Sequence, residues 1–268
     1  MLNQFSLGIH TWLQSWKFIS RNGLLHYFLY PMVIGIIWHM GMAIFILEIV
    51  QYLWAEFGPQ FTSDAIPNGT WWEQTKVVLA EISKYALAFV VSIILFYTSL
   101  KISKYVILIL MSPIMSLLSE RTNDILEGRN NPFSLHQFIR DVFRGSVLAL
   151  RNMFLELIII WIIGISALLI TAIIPPLGFI ISPLIPVISF FVGAYFFGFS
   201  TMDYTNERHR VSIRESIRNI RQQKGIALAN GSIFALFFRI PIIGATVTTI
   251  TCTVAACLAM HENRGEAV

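Results

Sequence analysis

The chain has 268 residues, 56% of them hydrophobic and 13% charged, with a formal net charge of +4. Soluble domains are about 45–50% apolar and about 25% charged, so a mean hydropathy of +0.68 excludes an ordinary soluble enzyme and points to the bilayer as solvent. The 21 Phe, 7 Trp and 8 Tyr also exclude a disordered chain.

Residues 1–22 are amphipathic. Phe5, Ile9, Trp12, Trp16 and Ile19 recur at spacings of three and four, as in an interfacial helix lying on a membrane, and Asn22-Gly23 breaks it. The basic start and small-residue cleavage site of a signal peptide are missing from this stretch. Residues 24–54 read as a first span, with His26, His39 and Glu48 as its ionisable residues. A polar, turn-rich segment follows, flanked by Trp54, Trp71 and Trp72 in the manner of an interfacial belt. Its Asn68-Gly69-Thr70 matches a glycosylation sequon, relevant only in a eukaryotic secretory setting.

Residues 74–104 read as a second span. In 105–127 an apolar limb meets Ser112-Pro113 and continues as an amphipathic limb to Gly128. At about 1.5 Å per residue neither limb crosses about 30 Å of hydrocarbon, which predicts a re-entrant hairpin. Residues 134–152 form a basic amphipathic helix and 153–173 a third span. A proline-rich apolar turn leads to a fourth span at 187–202. Residues 203–224 form a polar amphipathic helix on which Arg214, Arg218 and Arg221 share one face, opposite Ile213, Ile217 and Ile220. Glu215 lies within pairing reach of Arg218. Residues 226–260 repeat the limb–break–limb pattern around Arg239-Ile240-Pro241, as a second hairpin or two short spans. The expectation is one all-α integral membrane domain over 1–268, with about four spanning helices, two re-entrant (half-penetrating) helical hairpins and amphipathic interfacial helices.

Charge sorts the loops. Segment 55–75 has no Lys or Arg, whereas 101–151 holds seven basic residues and 203–226 holds six. The positive-inside rule places the rich segments and both termini in the cytoplasm, in an inner (plasma) membrane. The basic helix 203–224 then meets anionic lipid heads rather than nucleic acid.

Helix N-termini inside a membrane can hold anions. Ser112 suits an N-cap before Pro113, and Pro241 suits the start of the last limb. Arg239, between Phe237-Phe238 and Ile240-Pro241, is costly in apolar surroundings and has to face a cavity, pair, or snorkel. It is an anion-site candidate together with Pro241. His39, in mid-span beside Trp38, is a candidate for proton coupling, or for a neutral hydrogen bond to a neighbouring helix. Cys252 and Cys257, five apart, read as packed small residues rather than a disulfide or metal pair. No metal set, cofactor loop or hydrolytic constellation stands out, and the chain is not read as an enzyme.

Four motifs in order carry a family resemblance: Gly23-Leu24 followed by Tyr30-Pro31; Ser112-Pro113 followed by Leu118, Glu120 and Gly128; Asp203-Tyr204 followed by Ile213-Arg214-Glu215 and Ile220-Arg221; and Ile240-Pro241. Together they resemble the CysZ / etoposide-induced 2.4 family over about residues 8 to 260. The resemblance implies a helical membrane protein, usually oligomeric, that passes sulfate without ATP hydrolysis. It carries Gly23, Leu24 and Glu120 over as site positions. Sulfate-transporting relatives tend to have an arginine pair after the Gly-Leu. Here Leu25 and His26 stand there, and Arg21 is the nearby fixed positive charge. The expected function is a sulfate or oxyanion permease. A non-transporting scaffold or lipid-handling protein is the alternative, and sulfate, membrane lipid and a second copy of the chain are the expected partners.

Overall fold

A computed structural model describes residues 1–57, 70–128, 135–209, 211–240 and 242–264. Among them all regular structure is helical: α1 (Leu2–Arg21), a 3₁₀ turn (Leu24–Phe28), α2 (Leu29–Phe57), α3 (Trp71–Glu127), α4 (Leu135–Ile173), α5 (Pro175–Ile181), α6 (Leu184–Arg208), α7 (Ile213–Gln222), α8 (Lys224–Phe237) and α9 (Ile243–Glu262). Five stretches are long and apolar enough to cross a membrane: Leu24–Tyr52, Tyr105–Glu127, Val142–Ile173, Leu184–Glu207 and Ile243–Glu262. The chain divides into two compact units, Met1–Gly35 with Tyr105–Val268, and Ile36–Lys104.

In the larger unit α9 is the axis. In its most apolar stretch 83% of residues are buried, against 11% in that of Val142–Ile173. Its sequence explains this, because Gly244, Ala245, Ala255, Ala256 and Ala259 let neighbouring helices approach. Buried hydroxyls on α9 are satisfied by their own backbone: Thr248 donates to the Gly244 carbonyl at 2.6 Å, Thr249 to Ala245 at 2.7 Å and Thr253 to Thr249 at 2.7 Å. The α6–α8 contact is a crossing of small residues. A Cβ placed on Gly231 would stand 1.7 Å from the Ala194 carbonyl oxygen, so only glycine fits.

α1 packs on α8 and α9 through its small face. Gly8, Thr11, Ser15 and Ile19 are its buried residues, and Trp12 Nε1 donates to Thr251 Oγ1 at 3.1 Å. Leu13, Ile9 and Trp16 face outward. α7 starts at an N-cap, with the Glu215 amide donating to Ser212 Oγ at 3.3 Å, and Ser212 Oγ donating to the Glu215 carboxylate at the same distance. Glu215 thus caps its own helix.

The helical break expected at Ser112-Pro113 is absent. α3 runs through Pro113 as one 57-residue helix. The Ser112 hydroxyl donates to the Val142 carbonyl of α4 at 3.3 Å instead of capping, and packing against neighbouring helices sustains a proline inside a helix. The expected boundary between 134–152 and 153–173 also disappears into one helix, α4. The second break is present, between α8 and α9, and Ile242 there holds a φ of 62°, a strained value for a β-branched residue. Phe196, Phe197 and Phe199 lie in the chain's own core.

The smaller unit holds α2 from Ile36 and α3 up to Lys104. Its helix start is capped: the Thr70 amide and hydroxyl donate to the Glu73 carboxylate at 2.7 and 3.1 Å. Lys76 Nζ lies 5.8 Å from the centroid of the Trp72 ring.

Candidate functional site

Within the larger unit a polar seam runs between α4 and α6. On α4, Arg144, Asn152 and Glu156 lie eight and four residues apart, so all three lie close to one face. Arg144 Nη2 donates to Asp203 Oδ1 at 3.1 Å, with side chains only 14% and 4% exposed. The same Asp203 oxygen accepts the Ser216 hydroxyl of α7, and Arg144 Nη1 donates to the Val211 carbonyl. Asn206 Nδ2 donates to Ser216 Oγ at 2.9 Å. Four residues along from Leu148, Asn152 Nδ2 donates to Ser200 Oγ at 3.1 Å. Farther along the same face, Glu156 accepts the Tyr105 hydroxyl of α3.

The seam brings ionised groups into a helix bundle of membrane length, which is tolerable only when they are paired and hydrogen-bonded. Asp203 meets that condition through a guanidinium and a hydroxyl. Arg144 Nε and Asn206 Oδ1, also buried, have no hydrogen-bond partner among the described residues. The seam therefore keeps spare hydrogen-bonding capacity at the end near α7.

A second polar knot ties α3, α6 and α9. The Cys257 sulfur lies 3.4 Å from Ser119 Oγ, 3.3 Å from Thr205 Oγ1 and 3.8 Å from Asn123 Nδ2. On α8, Asn230 Nδ2 donates to Thr201 Oγ1 at 3.0 Å and to the Cys252 carbonyl at 2.8 Å. Both cysteines are free and buried.

The residues singled out in the sequence fall in several places. Gly23 ends the α1 connection with a φ of 70°, which a glycine adopts without steric cost. Leu24 is buried in one cluster with Leu118, so the Gly23 turn lies beside the part of α3 that carries Glu120. Leu25 is 57% exposed. His26 is exposed, with Nδ1 3.0 Å from the Gly23 carbonyl and its ring 4.4 Å from that of Tyr27. Arg21 lies exposed in the last turn of α1. Ser112 sits in mid-helix on α3, bonded to α4. Arg239 is exposed after the end of α8, its guanidinium 5.6 Å from the centroid of the Phe190 ring. Pro241 lies outside the described residues. His39 belongs to the smaller unit, where it is half-buried.

Sequence reasoning passed over Glu156, and took Arg144 only as part of a basic helix and Asp203 only as part of a family motif. A signal was available for the first. Glu156 is the one acid in 153–173, and an acid inside a span, like His39, is costly unless it is paired or serves a function.

Membrane-length helices packed around a buried and paired polar seam define a multi-pass helical membrane protein. The family model described as sulfate transporter CysZ/etoposide-induced protein 2.4 matches residues 11–247, and the chain belongs to this family. By that description it is a transporter family.

Proposed function

We propose that this protein is an inner-membrane permease or channel for sulfate or a related oxyanion, working without ATP hydrolysis. The family match over residues 11–247 is the observation that carries this reading. The anion is met first at the turn after α1, where Arg21, Gly23, Leu24, Leu25 and His26 lie beside the Glu120 segment. Arg239 serves at the α8–α9 tip, in company with Pro241. His39 is the coupling candidate in the smaller unit. Ser112 has no role as a helix N-terminus here, since α3 continues through it. Both termini lie in the cytoplasm, and the working form is a homo-oligomer.

Uptake of radiolabelled sulfate into proteoliposomes, with other oxyanions as competitors, tests the reading. Saturable, competed uptake is the expected result. No uptake of any oxyanion removes it in favour of a non-transporting scaffold or lipid-handling role. That second reading has one specific support, namely Leu25 and His26 at the positions where sulfate-transporting relatives tend to carry arginines.

A further inference from the structure

An open groove of about 590 Å³ runs between α4 and α6 under α7. Its two ends differ in chemistry. One end holds Arg151 of α4 and Arg221 of α7, while Leu155 and Ile159 of α4 and Ile188 and Val192 of α6 line the rest. Spacings of four along both helices keep these apolar residues facing the groove. From Ile188 to Phe199 the lining follows roughly 16 Å of helix, at about 1.5 Å per residue. This is the scale of most of an extended acyl chain.

The charged end is built rather than incidental. The Arg151 guanidinium lies 5.7 Å from the centroid of the Phe199 ring, and its Nη1 donates to Asn152 Oδ1 at 3.0 Å, so the side chain is held in place. Arg221 stands within Coulombic reach of it, and the Tyr195 phenol lies beside both. Neither arginine has an ion-pair partner among the described residues. The acid that acts on Arg151, Asp203, is already engaged by Arg144 and Ser216. Two like charges are thus held together at the mouth of an apolar slot, an arrangement that a single anion between them relieves.

The geometry points to a binding site for one anionic phospholipid, its phosphate between Arg151 and Arg221 and an acyl chain along Leu155, Ile159, Ile188 and Val192. Charge complementarity selects the headgroup and the apolar slot selects a tail. α4 beside the groove presents Phe154, Leu157, Ile158, Trp161 and Ile162 outward, so the slot opens on a face suited to lipid. The site stands whether or not the chain carries sulfate.

The test is native mass spectrometry of the purified full chain in mild detergent, with equimolar phosphatidylglycerol and phosphatidylcholine of the same acyl chains. The wild type is expected to retain phosphatidylglycerol in preference. Arg151→Gln with Arg221→Gln lowers that retention about fivefold or more, the scale of about 1 kcal/mol. Lys17→Gln with Arg140→Gln, which removes equal charge from exposed positions on α1 and α4, leaves it unchanged. Equal retention by the Arg151/Arg221 variant overturns the proposal, as does equal loss in the Lys17/Arg140 control. Displacement by excess inorganic phosphate identifies a free-anion site instead. A dimer lost in the Arg151/Arg221 variant with lipid retention intact identifies the groove as an interface between copies, and also overturns it. If the double variant does not fold, Arg221→Gln alone, at an exposed side chain, is held to the same direction of change.

Discussion

Gly198 of α6 lies so close to Ala227 of α8 that a Cβ at position 198 would stand 1.8 Å from the Ala227 carbonyl oxygen. Backbone, not a flexible side chain, blocks the space, so the two helices must separate to admit any side chain. We predict that Gly198→Val costs at least about 3 kcal/mol, the upper part of the range for overpacking. Thermal unfolding in detergent measures it. Gly164→Val, where no atom lies within 4 Å of the added Cβ, is the matched control and leaves the midpoint nearly unchanged.

The Arg144–Asp203 pair makes a second prediction. Removing one partner strands a buried charge, so Arg144→Met or Asp203→Leu alone costs about 3–5 kcal/mol. The two together cost less than the sum, because no charge is then left unpaired. A double-mutant cycle on unfolding in a denaturing detergent reads the coupling, and strict additivity would refute it.

At the turn after α1 the prediction is a gain. Leu25 and His26 are both exposed, so arginines fit there without repacking. Leu25→Arg with His26→Arg raises sulfate uptake into proteoliposomes about fivefold or more, worth about 1 kcal/mol of anion binding. Uptake equal to the wild type would show that this turn is not on the anion's route.

Arg239→Ala abolishes anion flux if the α8–α9 tip binds the ion. The fold survives the substitution. Arg239 stacks on Phe190 at an exposed site, and a cation–π interaction of that kind is worth about 0.5–1 kcal/mol. Unchanged flux with intact protein removes Arg239 from the pathway.

His39 separates coupled from passive transport. Wild-type uptake that varies with pH, beside a His39→Gln protein whose uptake does not, assigns the coupling to His39. Superimposable pH profiles of the two proteins exclude it.

The membrane class and most helix positions were legible because they rest on composition and on apolar runs of bilayer length. The break between α8 and α9 was legible from Arg239-Ile240-Pro241, which separates two short apolar limbs. Ser112-Pro113 carries the same local signal and misleads, since the Ser112 hydroxyl is spent on the Val142 carbonyl of a helix thirty residues away in sequence. The docking face of α1 was hidden for a related reason. Periodicity picks out Ile9 and Trp16, which look outward, while Gly8, Thr11 and Ser15 pack inward together with Ile19. The polar seam was the least legible part. Arg144, Asp203 and Ser216 come from three separate segments, and their pairing is a tertiary fact with no sequence spacing to announce it.

The docking of α1 sets an order on biosynthesis. Its partners, Thr251 of α9 and the Gln222 carbonyl at the end of α7, lie 239 and 218 residues downstream of Trp12 and Gln4. At about 5–20 residues per second, roughly ten to fifty seconds pass between synthesis of the first helix and arrival of the surface it seats on. Throughout that interval α1 has to be held elsewhere, and the lipid interface can hold it by the same Ile9, Leu13 and Trp16 that face outward in the finished protein. The first helix made is among the last to be seated, and a chain cut short before Thr251 lacks part of the surface on which α1 rests.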